Sequence, residues 1–168
     1  RSLGVKIKKV DIEDLPYMSL INILYAEAAA AFEHLTLSGK DDTLTWQDDG
    51  AWPNTFRKAR FLSAVDHVQL DRLRYLVMKA LDEVFSKIDI LIGPFDTGPM
   101  LVASNFTGHP CLHLRAGFQK LASRGAASLG DGKLNTGEAG AGRTFTVPHG
   151  ISLWGRLFEE ETILNLSF

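Results

Sequence analysis

Residues 64–92 constrain the fold of this chain more than any other stretch. Val65, Val68, Leu73, Leu76, Val77, Ala80, Leu81 and Val84 recur at three-to-four spacing, with Asp66, Gln69, Arg72, Asp82 and Glu83 on the other side. That pattern predicts an amphipathic helix over Ala64–Ser86, with Ser63 as its N-cap and Asp66 three residues on. Ile88-Asp-Ile-Leu-Ile92 follows at once and stops at Gly93-Pro94. It is short, β-branched and apolar on both faces, which predicts a central strand covered by helices on both sides. A helix running straight into such a strand is α/β architecture.

The remaining segments fit that frame. Val5, Ile7, Val10 and Ile12 alternate imperfectly with Lys6, Lys8 and Lys9, predicting a strand near a sheet edge. Behind Pro16, residues 17–37 predict one helix that turns Leu20, Ile23, Leu24, Ala28, Ala31 and Leu35 inward. Residues 38–52 are rich in Gly and Asp and read as a solvent-facing loop, followed after Pro53 by a short helix over Thr55–Phe61. One or two helical turns are expected over Met100–Phe106, and a second interior strand over Cys111–Arg115. Gln119–Thr144 holds six glycines and reads as a Gly-rich insertion, a lid or a disordered connection. Phe145–Gly155 returns to strand character, with Pro148 making its first part irregular and Ile151–Trp154 the firmer strand. Glu159, Glu160 and Glu161 suit the N-terminus of a last helix, where the macrodipole favours carboxylates.

The 168 residues are enough for one domain with a core, and 45% hydrophobic with 23% charged is ordinary globular composition. A net charge of −2 supplies no basic field, so neither direct nucleic-acid binding nor attachment to an anionic membrane is expected from charge. No apolar run approaches the roughly 20 residues a membrane span needs. Cys111 is the single cysteine. It cannot form an internal disulfide, and its apolar neighbours predict a small buried thiol in a reducing compartment, with cytoplasm as the default.

Five stretches, Tyr25–Ala28, Asn54–Asp66, Asp89–Pro94, Asn105–Pro110 (NFTGHP) and Gly155–Leu164, occur in an order that resembles the C-terminal part of the amidase signature family. The resemblance implies an α/β fold with a mixed β-sheet flanked by α-helices, residues 1–168 forming a partial domain interrupted by the Gly-rich insertion at about 119–144. It implies an amidase, a hydrolase acting on carbon–nitrogen bonds, that cleaves a carboxylic amide through an acyl-serine intermediate. This chain would supply sheet, helices and part of the substrate pocket. Two alternatives stay open: the A subunit of a glutamyl-tRNA amidotransferase, with glutamine as ammonia donor, and a non-catalytic binding or scaffold module of the same fold. The implied partners are a small-molecule amide and the N-terminal half of the same enzyme, with no cofactor; a homo-oligomer is also admitted.

In that family a neutral lysine deprotonates a bridging serine, which activates the nucleophilic serine, while backbone N–H groups hold the oxyanion. None of the ten serines here sits in a Gly-Gly, Ser-Ser or Gly-Ser context, so no catalytic residue is expected in this chain. The machinery is expected ahead of Arg1. Ala126-Ala-Ser128-Leu-Gly130 misses the G-x-S-x-G pattern at its first position. The sequence also departs from the family at Leu114-Arg115-Ala-Gly117, which lacks a proline before the glycine turn, and in the length of the Gly-rich segment.

The resemblance makes Arg60 a candidate for a substrate carboxylate, which a guanidinium can hold through two charge-assisted hydrogen bonds; a surface arginine near Asp66 is the alternative. Asn105, Thr107 and Gly108 are candidates for the floor of a substrate pocket, or simply for turn structure. Asp96 follows a strand end, where open α/β sheets bind ligands, and is a candidate amide acceptor or an Asx turn. His109, Cys111 and His113 alternate along one strand and so share a face; zinc is considered there, but without a fourth ligand no metal is expected. Gly137–Gly142 has spacing G-x-x-G-x-G after no firm strand, and is read as low complexity rather than a phosphate loop.

Overall fold

The expected long helix is present: α4 spans Ala64–Phe85 and runs almost directly into β1, Ile90–Pro94. It begins as the sequence requires, with the Asp66 N–H donating to Ser63 Oγ at 3.0 Å and the Ser63 hydroxyl donating to Asp66 Oδ2 at 2.7 Å. The computed structural model describes residues 4–94, 98–121 and 144–167. Before α4 come α1 (Ile21–Ala31), α2 (Glu33–Leu37) and α3 (Trp52–Ala59); after β1 come α5 (Pro99–Thr107), β2 (Cys111–Leu121), β3 (Phe145–Gly155) and α6 (Glu160–Ser167). The three strands form one sheet in the order β1-β3-β2. β1 and β3 are antiparallel, Ile90 opposite Gly155 and Pro94 opposite Ile151.

The chain forms two compact units. A sheet unit contains Arg1–Leu20, Asp71–Arg115 and Gly150–Phe168; a helical unit contains Ile21–Leu70 and Ala116–His149. In the sheet unit the apolar stripe of α4 is buried along its C-terminal half, at Val77, Ala80, Leu81, Val84 and Phe85. The Val, Leu and Phe side chains among them each contribute roughly 1.5–3 kcal/mol through burial. Val102 and Ala103 of α5, Leu153 and Trp154 of β3, and Ile163 of α6 are buried in the same unit, where the 3₁₀ turn Tyr17–Leu20 packs on α5. α5 ends at Gly108, whose φ of 82° is left-handed and whose N–H donates to Ser104 C=O at 2.9 Å. That termination needs a residue without a Cβ penalty.

In the helical unit α1 packs on α3, and α2 packs on α3 and on the 3₁₀ turn Lys40–Thr43. Phe32 stacks on Phe56 at 5.1 Å, Trp52 on Phe56 at 5.6 Å, and Tyr25 meets Trp52 edge-on at 6.3 Å. Such pairs add about 0.5–1.5 kcal/mol each beyond burial.

Several expectations are corrected. Residues 5–12 form no strand, and Ile7 is exposed; a period-two pattern makes a strand only where an edge accepts its hydrogen bonds. The single helix over 17–37 is instead a 3₁₀ turn and two helices, broken at the Phe32 that stacks on Phe56. The helix after Pro53 begins earlier, at Trp52. The polar loop is tied down: Asp41 is only 2% exposed, and Arg57 Nη2 lies 2.6 Å from its Oδ2 and 2.5 Å from Asp42 Oδ1. β1 lies at one end of the described sheet rather than at its centre, with Ile92 54% exposed. β2 continues through Leu121, so residues 119–121 of the expected insertion are strand. Pro148 lies within β3 without a break, at a position past the Ile151 end of the β1 pairing, where a missing N–H deprives β1 of nothing.

Candidate functional site

α5, the first residues of β2 and the end of β3 enclose a cleft of about 350 Å³ in the sheet unit. It is lined by Leu101, Ser104, Asn105, His109, Cys111, His113 and Trp154. Ser152 and Trp154 share one face of β3, and β1 puts Leu91 and Gly93 on that face. Gly93 is where the indole of Trp154 approaches the backbone: a Cβ built there would lie 2.8 Å from Cζ3. Glycine is needed for that contact. On the other side of β3, the Gly155 N–H donates to Pro110 C=O at 3.1 Å and joins β3 to the start of β2.

A chain of polar contacts runs through the cleft. The Ser152 hydroxyl donates to Pro94 C=O at 3.1 Å, and Ser152 Oγ lies 2.8 Å from His113 Nδ1. A serine has one proton to give. With that proton on Pro94, Ser152 accepts from His113 Nδ1–H, which assigns the neutral imidazole a lone pair on Nε2. Nε2 faces Cys111 Sγ at 3.7 Å. Cys111 is exposed rather than buried as the sequence suggested. Exposure describes the residue as a whole; partial desolvation of the sulfur still pushes the thiol pKa above its ordinary value.

His109 is built the same way. Thr107 Oγ1 donates to Ala103 C=O at 2.8 Å and sits 2.7 Å from His109 Nδ1, so it accepts the Nδ1 proton. The His109 ring stacks on Phe85 at 5.0 Å. Burial holds its pKa below that of free imidazole, against a smaller opposing pull from Asp82, and favours the neutral ring.

Of the expected site residues, Asn105, His109, Cys111 and His113 meet in this cleft, and Thr107 supports His109 from below. Asn105 Nδ2 donates to Leu101 C=O at 2.7 Å within its own helix. Arg60 belongs to the helical unit, as the residue capping α3, and pairs with Glu33 at 3.1 Å rather than with Asp66. Asp96, Ser128 and Gly137–Gly142 lie outside the described residues. Among the described residues no group of three His, Cys, Asp or Glu side chains is placed to hold a metal ion; His113 is turned toward Ser152 and His109 toward Thr107.

Sequence reasoning missed Ser104, Ser152, Trp154 and Arg156. The alternation in Ile151-Ser-Leu-Trp154 placed Ser152 and Trp154 on one face, but nothing in it named His113 as the partner. Arg156 Nε donates to Phe85 C=O at 3.0 Å, and its Nη2 to Ile88 C=O at 3.2 Å and Asp89 Oδ1 at 3.3 Å. It thereby satisfies carbonyls at the α4–β1 junction that the helix leaves open.

Among the described residues the fold and cleft define a small mixed α/β arrangement with a three-stranded sheet and a thiol–imidazole–hydroxyl chain on one sheet face. A scan against protein-family models finds no matching family, and a search of curated proteins finds no match. Among the described residues no helix is long and apolar enough to cross a membrane.

Proposed function

We propose that this chain is the C-terminal portion of an amidase-family amidohydrolase, supplying sheet, packing helices and one wall of the pocket for a carboxylic amide. The observation that carries this reading is the meeting of three of the resembling stretches in one unit. Gly155–Leu164 is far in sequence from Asp89–Pro94 and Asn105–Pro110. Arg156 nevertheless pairs with Asp89, and the Gly155 N–H with Pro110 C=O. The apolar β1 at one end of the sheet, with Ile92 exposed, is the kind of edge that another strand or layer covers. Asn105, at the cleft, is the residue through which this wall meets an amide.

The division of labour follows from the hydroxyls. Ser104 and Ser152 both give their protons to backbone carbonyls, of Met100 and Pro94. Ser104 gives its one proton to its own helix, and Ser152, although 2.8 Å from His113 Nδ1, accepts from that imidazole while its proton stays on Pro94 C=O, so on this reading neither acts as the amide-cleaving nucleophile. The lysine and paired serines belong to the N-terminal half, and a cytoplasmic setting suits a protein with one cysteine.

Mixing and co-refolding with the N-terminal half of an amidase signature enzyme tests the reading. Ammonia release from a simple amide is expected from the mixture and from neither part alone, with Asn105→Ala raising KM. Serine-inhibitor-sensitive ammonia release by the 168-residue chain alone, or no activity from a mixture in which both parts are folded, contradicts it.

A further inference from the structure

We propose that Cys111 and His113 form a base-assisted thiol site, positioned by Ser152, that exchanges with a small disulfide carrying hydrogen-bond acceptor oxygens. The geometry is that of an activated nucleophile: a thiol within reach of a base whose other nitrogen is fixed by a third group. Sγ faces Nε2 at 3.7 Å, and the Ser152–Pro94 contact sets the tautomer that leaves Nε2 able to accept the thiol proton. Because desolvation keeps the thiol protonated, such a base is what the sulfur requires to react near neutral pH.

A second observation in the same cleft points to a ligand. Trp154 is 2% exposed, lines the cleft, and its Nε1–H has no acceptor among the described residues. An orphaned buried donor costs about 1–3 kcal/mol. An oxygen brought in beside the sulfur and reaching the indole removes that cost. Acyl transfer is a poorer fit to this cleft, since a developing oxyanion needs several aimed donors. Ser104 gives its one proton to Met100 C=O, and Asn105 commits one of its two N–H donors to Leu101 C=O, which leaves too few aimed donors for an oxyanion. Disulfide exchange needs none.

The step balances without any further reactant. The Cys111 S–H proton passes to His113 Nε2 as Sγ attacks one sulfur of R–S–S–R. The Sγ–S bond forms, the S–S bond breaks, and the departing thiolate takes the proton back from His113 as R–SH. No amide-cleaving group takes part, so failure of the amidase reading leaves this site untouched.

Cys111 is the only cysteine, so intact mass reports the site without ambiguity. Glutathione disulfide, which carries carboxylate and amide oxygens, and cystamine, which carries none, are compared on the folded chain and on the same chain in urea. The folded chain is expected to form one mixed disulfide with glutathione disulfide roughly tenfold faster than the unfolded chain at pH 7, and His113→Gln to lose that advantage. Ser152→Ala is expected to lose part of it and to steepen the pH–rate profile toward that of an unassisted thiol, a change that loose packing alone does not produce. Trp154→Phe is expected to erase the preference for glutathione disulfide over cystamine. Equal or slower reaction in the folded chain, a His113→Gln rate matching wild type, or no wild-type preference between the two disulfides overturns the proposal. The folded-against-urea comparison uses wild type and so does not depend on any variant folding.

Discussion

The two units dispose of their polar side chains in opposite ways. In the helical unit they are consumed by structure: Arg57 holds Asp41 and Asp42, Asn54 Nδ2 donates to Gln47 C=O and Asp48 C=O, and Gln47 Nε2 donates to Asp41 C=O and Leu44 C=O. In the sheet unit, hydroxyls of Ser152 and Thr107 pass their protons to backbone carbonyls and orient an imidazole beside the cleft. A hydrogen bond that ends on backbone within a loop fixes a loop. One that ends on a histidine fixes a tautomer, and with it a direction for a proton. The proposed chemistry therefore falls in the sheet unit, and on that account the helical unit is expected to respond to mutation through stability alone.

The largest effect that would test this contrast is expected at Arg57. Arg57→Ala leaves the buried Asp41 carboxylate without its cation and should cost the helical unit about 2–3 kcal/mol, less than a fully buried pair because Arg57 is partly exposed. Trp46 and Trp52 lie in that unit, so urea unfolding followed by fluorescence in a Trp154→Phe background reports it separately. The rate of Cys111 modification should not change. Gly93→Ala comes next. Its Cβ would press on the rigid Trp154 ring at 2.8 Å, at a cost of about 2 kcal/mol to the sheet unit in a denaturant titration.

Acidification should separate the units as well. Burial holds the folded His109 pKa below the unfolded value near 6.5, so the unfolded chain takes up the proton more readily. The stability that neutral His109 contributes is thus complete above that value and is lost as pH falls below it. The sheet-unit midpoint should drop between pH 7.5 and pH 5.5, and His109→Gln should flatten the drop. The smallest effect is at Arg60. Its exposed pair with Glu33 is worth about 0.5 kcal/mol, so Arg60→Ala should barely move the unfolding midpoint. A large rise in KM for Arg60→Ala in a complemented enzyme would instead assign it to substrate.

The same contrast explains what the sequence could tell. The start of α4 was legible because Ser63 and Asp66 act through a local hydrogen bond; Asn105 and Thr107, read as turn residues, belong instead to α5, which ends at the left-handed Gly108. What failed was non-local. The Val5–Ile12 alternation did not say whether an edge was available, the apolar run in β1 did not say that it would sit at one end of the described sheet, and the break at Phe32 depends on Phe56. Within the cleft, alternation placed Cys111 and His113 on one face of β2, whereas His109, expected on the same strand, precedes it. Their partners Thr107 and Ser152 redirect the imidazoles away from a shared metal, and Ser152 arrives from 39 residues beyond His113.

The most direct measurement is the location of a covalent label. The chain is mixed with an amidase N-terminal half, treated with a fluorophosphonate that captures activated serines, and both parts are mapped by mass spectrometry. The label should fall on the added half alone, with all ten serines of this chain unmodified. A phosphonylated serine within residues 1–168 would contradict the assignment of this chain as a supporting wall.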